Sequence, residues 1–351
     1  MHSNNNSNSQ APTCVGTGLI TLDLVVSEEI STPFFVSAGG SCGNVMAILA
    51  YLGWESVPVA RLENDGSSVQ IINDLESFNV ETSFIERDTT GSTPVIVEHL
   101  SRTANGGSNH RYRRKCPFCD SRFSRYKHIL AKKTRSVLDS LPDYDVFYFD
   151  RLSRGALILA EYCKSHEGLV VFEPSFVGKA HLFEEALAVS DIVKFADDRL
   201  GERSRSIAEK ANGLVIETKG NEGFRYTFAR TDSDWTRLPA HSISEIKDAA
   251  GAGDWFTAGL IDKLGRDAPT SFLEASESHI AEALSYGQQL ASESCAFVGP
   301  RGLMYSDAST VEANSRLPEA DLSLCSSLSM KAKNTPKPDS IPETELCPVC
   351  S

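Results

Sequence analysis

Asp248-Ala-Ala-Gly-Ala-Gly-Asp254-Trp-Phe-Thr-Ala-Gly259 is the stretch on which the reading of this chain turns. The small residues Gly251, Ala252 and Gly253 stand directly before an apolar, helix-like run of Trp255, Phe256, Ala258, Leu260, Ile261 and Leu264. Small residues at a helix start leave backbone N–H groups open to an anion, and the helix dipole favours negative charge there. Asp254, in that same turn, would sit beside the bound anion and could take a proton from an attacking hydroxyl. Charge stabilisation, alignment and a base are the requirements of phosphoryl transfer. The plainer alternative is that Asp254 caps the helix and the small residues serve tight packing.

Working outward, short apolar runs alternate with helical patterns. Strands are expected at residues 13–26, 57–60, 93–100, 146–149, 169–172, 192–195, 214–218 and 224–228, and helices at 43–52, 66–78, 155–166 and 182–190. Strands alternating with helices predict an α/β fold, a mostly parallel central sheet covered on both faces. The first twelve residues are Asn/Ser-rich and expected to be disordered. Residues 311–346 are rich in Ser, Pro, Lys and Glu and read as a flexible linker, leaving 13–310 as the folded domain. No run approaches the roughly 18 apolar residues of a membrane span, and the N-terminus lacks the pattern of a secretory signal. A soluble, cytoplasmic protein is the expectation.

The 248–259 stretch resembles the signature of the ribokinase-type (PfkB) carbohydrate kinases, D-T-x-G-A-G-D followed by a small-residue helix, with Ala249 where Thr is usual. Three further segments resemble that family in the right order. Gly18-Leu-Ile-Thr-Leu-Asp23 is similar to its opening strand. Gly39-Gly40-Ser-Cys-Gly43-Asn44 is similar to its G-G-x-x-x-N motif, and Thr218-Lys219-Gly220-Asn221-Glu222-Gly223 to its T-x-G-x-x-G segment. The resemblance covers about residues 13–305 and implies a ribokinase-like sheet with a small β lid within about 24–38 and 88–130. It further implies ATP and Mg²⁺ as cofactors and an alcohol group on a sugar as phosphoryl acceptor. On that basis Asp254 is the catalytic base and Gly251, Ala252 and Gly253 form the anion hole. Asp23, Gly39, Gly40 and Asn44 bind substrate, while Thr218, Gly220, Gly223 and Lys194 lie against the nucleotide. Arg151, which follows an apolar strand with Asp150, could grip a substrate anion bidentately.

One departure stands out. The family's N-x-x-E motif is replaced by Ala196-Asp197-Asp198-Arg199 after Lys194, so Asp198 and Glu173 are the carboxylates left for magnesium. A nucleoside kinase is the nearest alternative function. A kinase-derived binding or regulatory protein with impaired catalysis is the alternative of another class. Other nucleotide and hydrolase signatures are absent: the chain has no P-loop, no dinucleotide fingerprint, no G-x-S-x-G and no H-E-x-x-H.

Charge and cysteines add a second theme. The net charge is −13, yet residues 101–135 hold eleven Lys/Arg against the single acid Asp120. The acidic remainder argues against nucleic acid as the general partner, leaving the basic lid as the place where it could bind. Cys116-Pro-Phe-Cys119 and Cys347-Pro-Val-Cys350 can supply four thiolates to structural zinc. This predicts a zinc-ribbon insertion at 104–128, with the C-terminal pair at 347–351 joining the 116–119 knuckle. A homodimer through the lid strands is a further expectation.

Overall fold

The computed structural model describes residues 11–27, 35–102, 108–116, 120–229, 235–243, 246–266 and 275–306. Its frame is set by short strands that are apolar along their whole length. Val146-Phe-Tyr-Phe149 (β9) and Leu169-Val-Val-Phe172 (β10) are buried at every residue, as expected of parallel strands covered on both sides. The central sheet has eight strands in the order β14-β13-β12-β11-β10-β9-β1-β4. Here β1 is Thr13–Thr17, β4 Glu55–Pro58, β11 Ile192–Ala196, β12 Leu214–Thr218, β13 Phe224–Phe228 and β14 Thr236–Leu238. All pairings are parallel except β12–β13 and β13–β14 at one edge.

Because side chains alternate across a strand, each strand feeds two cores. Cys14, Tyr148, Val171, Ile192 and Ile216 pack with α1 (Ser41–Tyr51), α8 (Ala252–Gly265) and α9 (Glu277–Ser294). Val15, Phe147, Phe149, Phe172, Val193 and Val215 face α4 (Arg154–Ser165), α5 (Ala180–Val189) and α7 (Ser204–Lys210). In this second core Phe149 stacks on Phe172, ring centroids 4.4 Å apart.

The expected strand over 13–26 is in fact two strands in two sheets. β1 ends at Thr17, and β2 (Thr21–Ser27) belongs to a four-stranded sheet in the order β3-β2-β7-β8. β3 is Phe35–Gly39, β7 Val95–Arg102 and β8 Ser108–Arg113. The break falls at residues 18–20 because Leu19 is engaged elsewhere. Its N–H donates to Asp150 Oδ1 at 2.8 Å, and its carbonyl accepts from Cys42 and Gly43 at the start of α1. Those are first-turn donors that a helix leaves without an internal partner. Asp23 therefore belongs to the four-stranded sheet, opposite Ser37 of β3. Part of the expected insertion, residues 108–113, is the edge strand of this sheet, antiparallel to β7. A smaller parallel pair, β5 (Ala60–Glu63) and β6 (Ile85–Asp88), lies beside it in sequence and ends the list of sheets among the described residues.

Candidate active site

The turn that opens α8 has a built-in reason for its glycine. Gly251 holds φ +76° as the residue before the helix, and a Cβ there would lie 2.5 Å from the Pro300 carbonyl oxygen. Only glycine meets both conditions. Pro300 O also accepts from Trp255 Nε1 at 2.9 Å. Asp248 ties the rest of the loop, accepting from Ala250 N at 2.7 Å and Gly299 N at 2.8 Å. The 299–300 segment and Asp248 thus fix a helix N-terminus whose Gly253 is exposed. Backbone N–H groups and the helix dipole at such a terminus favour negative charge.

Asp254, in the first turn of α8, accepts from Asn44 Nδ2 at 2.7 Å. Burial, followed by the Glu173 charge, pushes its pKa up to about 7, against the opposing pull of Asn44 and Lys194. A carboxyl poised there is half ionised near neutral pH, where a general base works best. From α1, the Asn44 amide orients Asp254. Asn44 Oδ1 is buried with no hydrogen-bond partner.

Lys194 and Glu173 lie beneath the turn. Lys194, with 2% of its side chain exposed, donates to Gly253 O at 3.0 Å and to Glu173 Oε1. Glu173 Oε2 accepts from Thr257 Oγ1 at 2.7 Å and Tyr148 OH at 3.1 Å. Both carboxylate oxygens of Glu173 are thus engaged, and its charge is matched by a buried ammonium.

On the lid side, Asp23 accepts from Thr21 Oγ1 at 2.5 Å, and a Cβ on Gly39 would lie 1.9 Å from Asp23 Oδ2. The glycine makes room for the carboxylate. Burial raises the Asp23 pKa to about 6. The backbone just before Gly39 and Gly40 is clamped by a pair that the sequence did not reveal. Arg301 Nη2 donates to Ala38 O at 2.7 Å and to Asp74, while Asp74 Oδ2 accepts from Ala38 N at 3.0 Å.

Asp150, with pKa raised to about 6 by burial, carries Arg151 on Oδ2 at 2.6 Å. At the far side, Thr218, Gly220 and Gly223 line the tight turn from β12 to β13, closed by Lys219 N to Gly223 O at 2.8 Å. Lys219 Nζ joins Asp197 at 3.1 Å to the fully buried Glu217 at 3.3 Å.

The structure does not show the zinc ribbon. Cys119, Cys347 and Cys350 lie outside the described residues, as do residues 1–10 and the expected linker at 311–346. Among the described residues no group of three or more His, Cys, Asp or Glu is arranged to hold a metal ion. Asp198 is exposed on the short helix Asp197–Leu200 and, with Glu173 already saturated, the two form no metal cage. Nor is any helix among the described residues long and apolar enough to cross a membrane.

Comparison with known proteins bears on the same residues. Residues 13–304 match the model of the pfkB family carbohydrate kinases. A probable fructokinase-6, chloroplastic, from Arabidopsis thaliana is 23% identical over 319 residues, covering 81% of this chain and 77% of that protein. Among solved structures, the aminoimidazole riboside kinase of Salmonella enterica, complexed with aminoimidazole riboside and an ATP analogue, superposes with a TM-score of 0.62. It is 19% identical and covers 86% of this chain and 100% of its own. The ATP-bound fructokinase of Xylella fastidiosa gives 0.62 at 16% identity, covering 87% and 99%.

Proposed function

The chain belongs to the pfkB family of carbohydrate kinases and is a phosphotransferase, and from that premise we propose that it moves the γ-phosphoryl of ATP to a hydroxyl of a sugar or nucleoside with Asp254 as the base. The observation that carries this reading is the Asp254 carboxyl in the first turn of α8, oriented by Asn44 Nδ2 at 2.7 Å and standing beside the glycine turn Gly251–Gly253. In this account the acceptor hydroxyl lies against Asp254 Oδ1, the oxygen that Asn44 leaves free, and gives up its proton as the phosphoryl arrives. The turn's N–H groups stabilise the charge on the transferring group. Lys194, bonded to Gly253 O, holds the turn and adds positive charge beneath it. Asp23, Gly39 and Gly40 support acceptor hydroxyls on the lid side. Thr218, Gly220 and Gly223 support the nucleotide.

Magnesium enters with ATP and supplies neutralisation of the phosphate charge. With Glu173 engaged on both oxygens, the metal would be held chiefly by the phosphates and water, as is usual for Mg²⁺, and Asp198 would be the exposed carboxylate offered to it. Cytoplasmic placement remains part of the proposal. So does the four-cysteine zinc site. Its support is local: Cys116 is buried, its N–H donates to Ser121 O at 2.9 Å, and its carbonyl accepts from Asp120 N at 3.0 Å. Asp120, just past the pair, has φ +56°. About one zinc per chain is expected by elemental analysis of the full-length protein. The paired change Cys347→Ser/Cys350→Ser should abolish it; unchanged zinc in that variant would remove the site from the account.

ADP release with Mg·ATP over a panel of sugars, sugar acids, sugar phosphates and nucleosides tests the function itself. Acceptor-dependent turnover is expected, and its absence across the panel would favour a kinase-derived binding protein. The pH profile is a second check. As Asp254 must be ionised to act, kcat/KM should rise through about pH 7 and level off above it. The stability effect has the opposite sense. Asp23, Asp150 and Asp254 hold protons in the fold at pH values where the unfolded chain does not. Their contribution is full below about pH 4 and is lost as pH rises through 6 to 7. Thermal melts of the ligand-free protein across that range would read this loss.

A further inference from the structure

Arginines gather where β9 and β11 end: Arg151 follows β9 and Asp150, and Arg199 lies on the short helix Asp197–Leu200 that follows β11. Arg151 Nη1 lies 3.1 Å from Ser175 Oγ, and Arg199 Nη1 lies 3.0 Å from the same oxygen. Two guanidinium groups therefore share one neutral hydroxyl. Arg61 reaches in from β5, and its Nε is buried without a hydrogen-bond partner. Tyr126 and His128 stand edge to face, ring centroids 5.0 Å apart, and both feel Arg61 and Arg151. The His128 pKa is lowered by burial and then by Arg151, Arg61 and Lys179 in turn. On the other side of the balance stand Asp150, bonded to Arg151, and Asp88, whose charge is felt by Arg61.

A buried guanidinium N–H without an acceptor is costly unless a ligand supplies one. Like charges converging on a hydroxyl carry the same message, since an oxyanion placed between them would relieve the repulsion and accept in the fork geometry that arginine favours. Cys42 locates the cluster: this fully buried residue at the start of α1 feels Asp150, Arg151 and Asp254 together. Arg151 and its partner Asp150 therefore stand near the base, while Asp23 in the neighbouring sheet holds a carboxylate suited to hydroxyls.

We infer that Arg61 and Arg151, assisted by Arg199, bind an oxyanion on the acceptor, so that the preferred substrate is a sugar carrying a phosphate or carboxylate group. This rests on the proposed kinase reading and narrows it. Neutral sugars would leave the arginines unanswered, and a site that loses a charged partner loses binding by about 2–5 kcal/mol, or roughly 30-fold and upward.

The test compares neutral sugars with their phosphate and carboxylate derivatives in wild type, Arg61→Gln and Arg151→Lys. An anionic acceptor should exceed its neutral parent in kcat/KM by roughly 30-fold or more. Arg61→Gln should raise KM for that acceptor by a similar factor while leaving KM for ATP unchanged. If KM for ATP rises instead, the arginines serve the nucleotide's phosphates and the inference falls. It also falls if neutral sugars are preferred and Arg61→Gln leaves them unaffected. Should no acceptor at all be phosphorylated, the kinase reading fails, and a second readout still decides this one. Inorganic phosphate titrated onto the ADP-loaded full chain should bind in wild type and not in Arg61→Gln. Equal binding by both, or none in wild type, overturns the cluster as an oxyanion site. Arg151→Lys keeps the charge on Asp150, so an intermediate loss is expected from a protein that melts like wild type.

Discussion

Asp254→Asn lowers kcat by about 10²–10⁴-fold, the contribution expected of a positioned general base, while the KM for ATP stays close to wild type. The substitution keeps the size and the hydrogen bond to Asn44 but removes the site that accepts the proton. It also separates two roles for this residue. The cap of α8 is Gly251 and not Asp254, so a purely structural role would rest on the bond with Asn44, which Asn can keep, and turnover would hardly change. Stability moves the other way from activity. The fold holds Asp254 at a pKa near 7 because burial and Glu173 disfavour its charge. Above pH 7 the wild type carries that unfavourable charge and the variant does not. At pH 8 the inactive variant should therefore melt at the same temperature as wild type or higher.

Lys194→Met is expected to be damaging in a different manner. It leaves Glu173 buried with no counter-charge and releases the Gly253 carbonyl. Breaking such a pair from one side costs about 3–5 kcal/mol of stability, and loosening the turn should lower kcat by about 10²-fold or more. Adding Glu173→Gln separates the two losses. A neutral amide can still meet Tyr148 and Thr257, so the double variant should regain much of the stability. Its turnover should stay low, because the ammonium under the turn is still missing. Recovery of both together would mean that the pair supports the fold alone.

The parts of this molecule that were legible in sequence are those whose signal is local. A run such as Val146-Phe-Tyr-Phe149 has no choice but a buried strand, and the structure has that strand at the same residues. The start of α8 could be read from its small residues and the Asp that follows. A lysine in the apolar strand Ile192-Val-Lys-Phe-Ala196 was visible too, although its pairing with Glu173, just past the neighbouring strand, was not. What failed to show depends on groups far apart in the chain. Arg301 and Asp74 are 227 residues apart and together pin Ala38, and nothing near either residue announces the other. The single strand expected over 13–26 misled because the apolar run continues through Gly18, whereas the break comes from Leu19 bonding to Asp150. Apolarity reports burial, and it does not say in which sheet a residue is buried.

The fate of the γ-phosphoryl tests the central claim most directly. With ATP labelled at that position and the acceptor panel present, the label should appear as an ester on an acceptor oxygen in wild type, and not in Asp254→Asn. Label released only as inorganic phosphate, at equal rates in the two proteins, would contradict the account of Asp254 as the base that delivers a substrate hydroxyl to ATP.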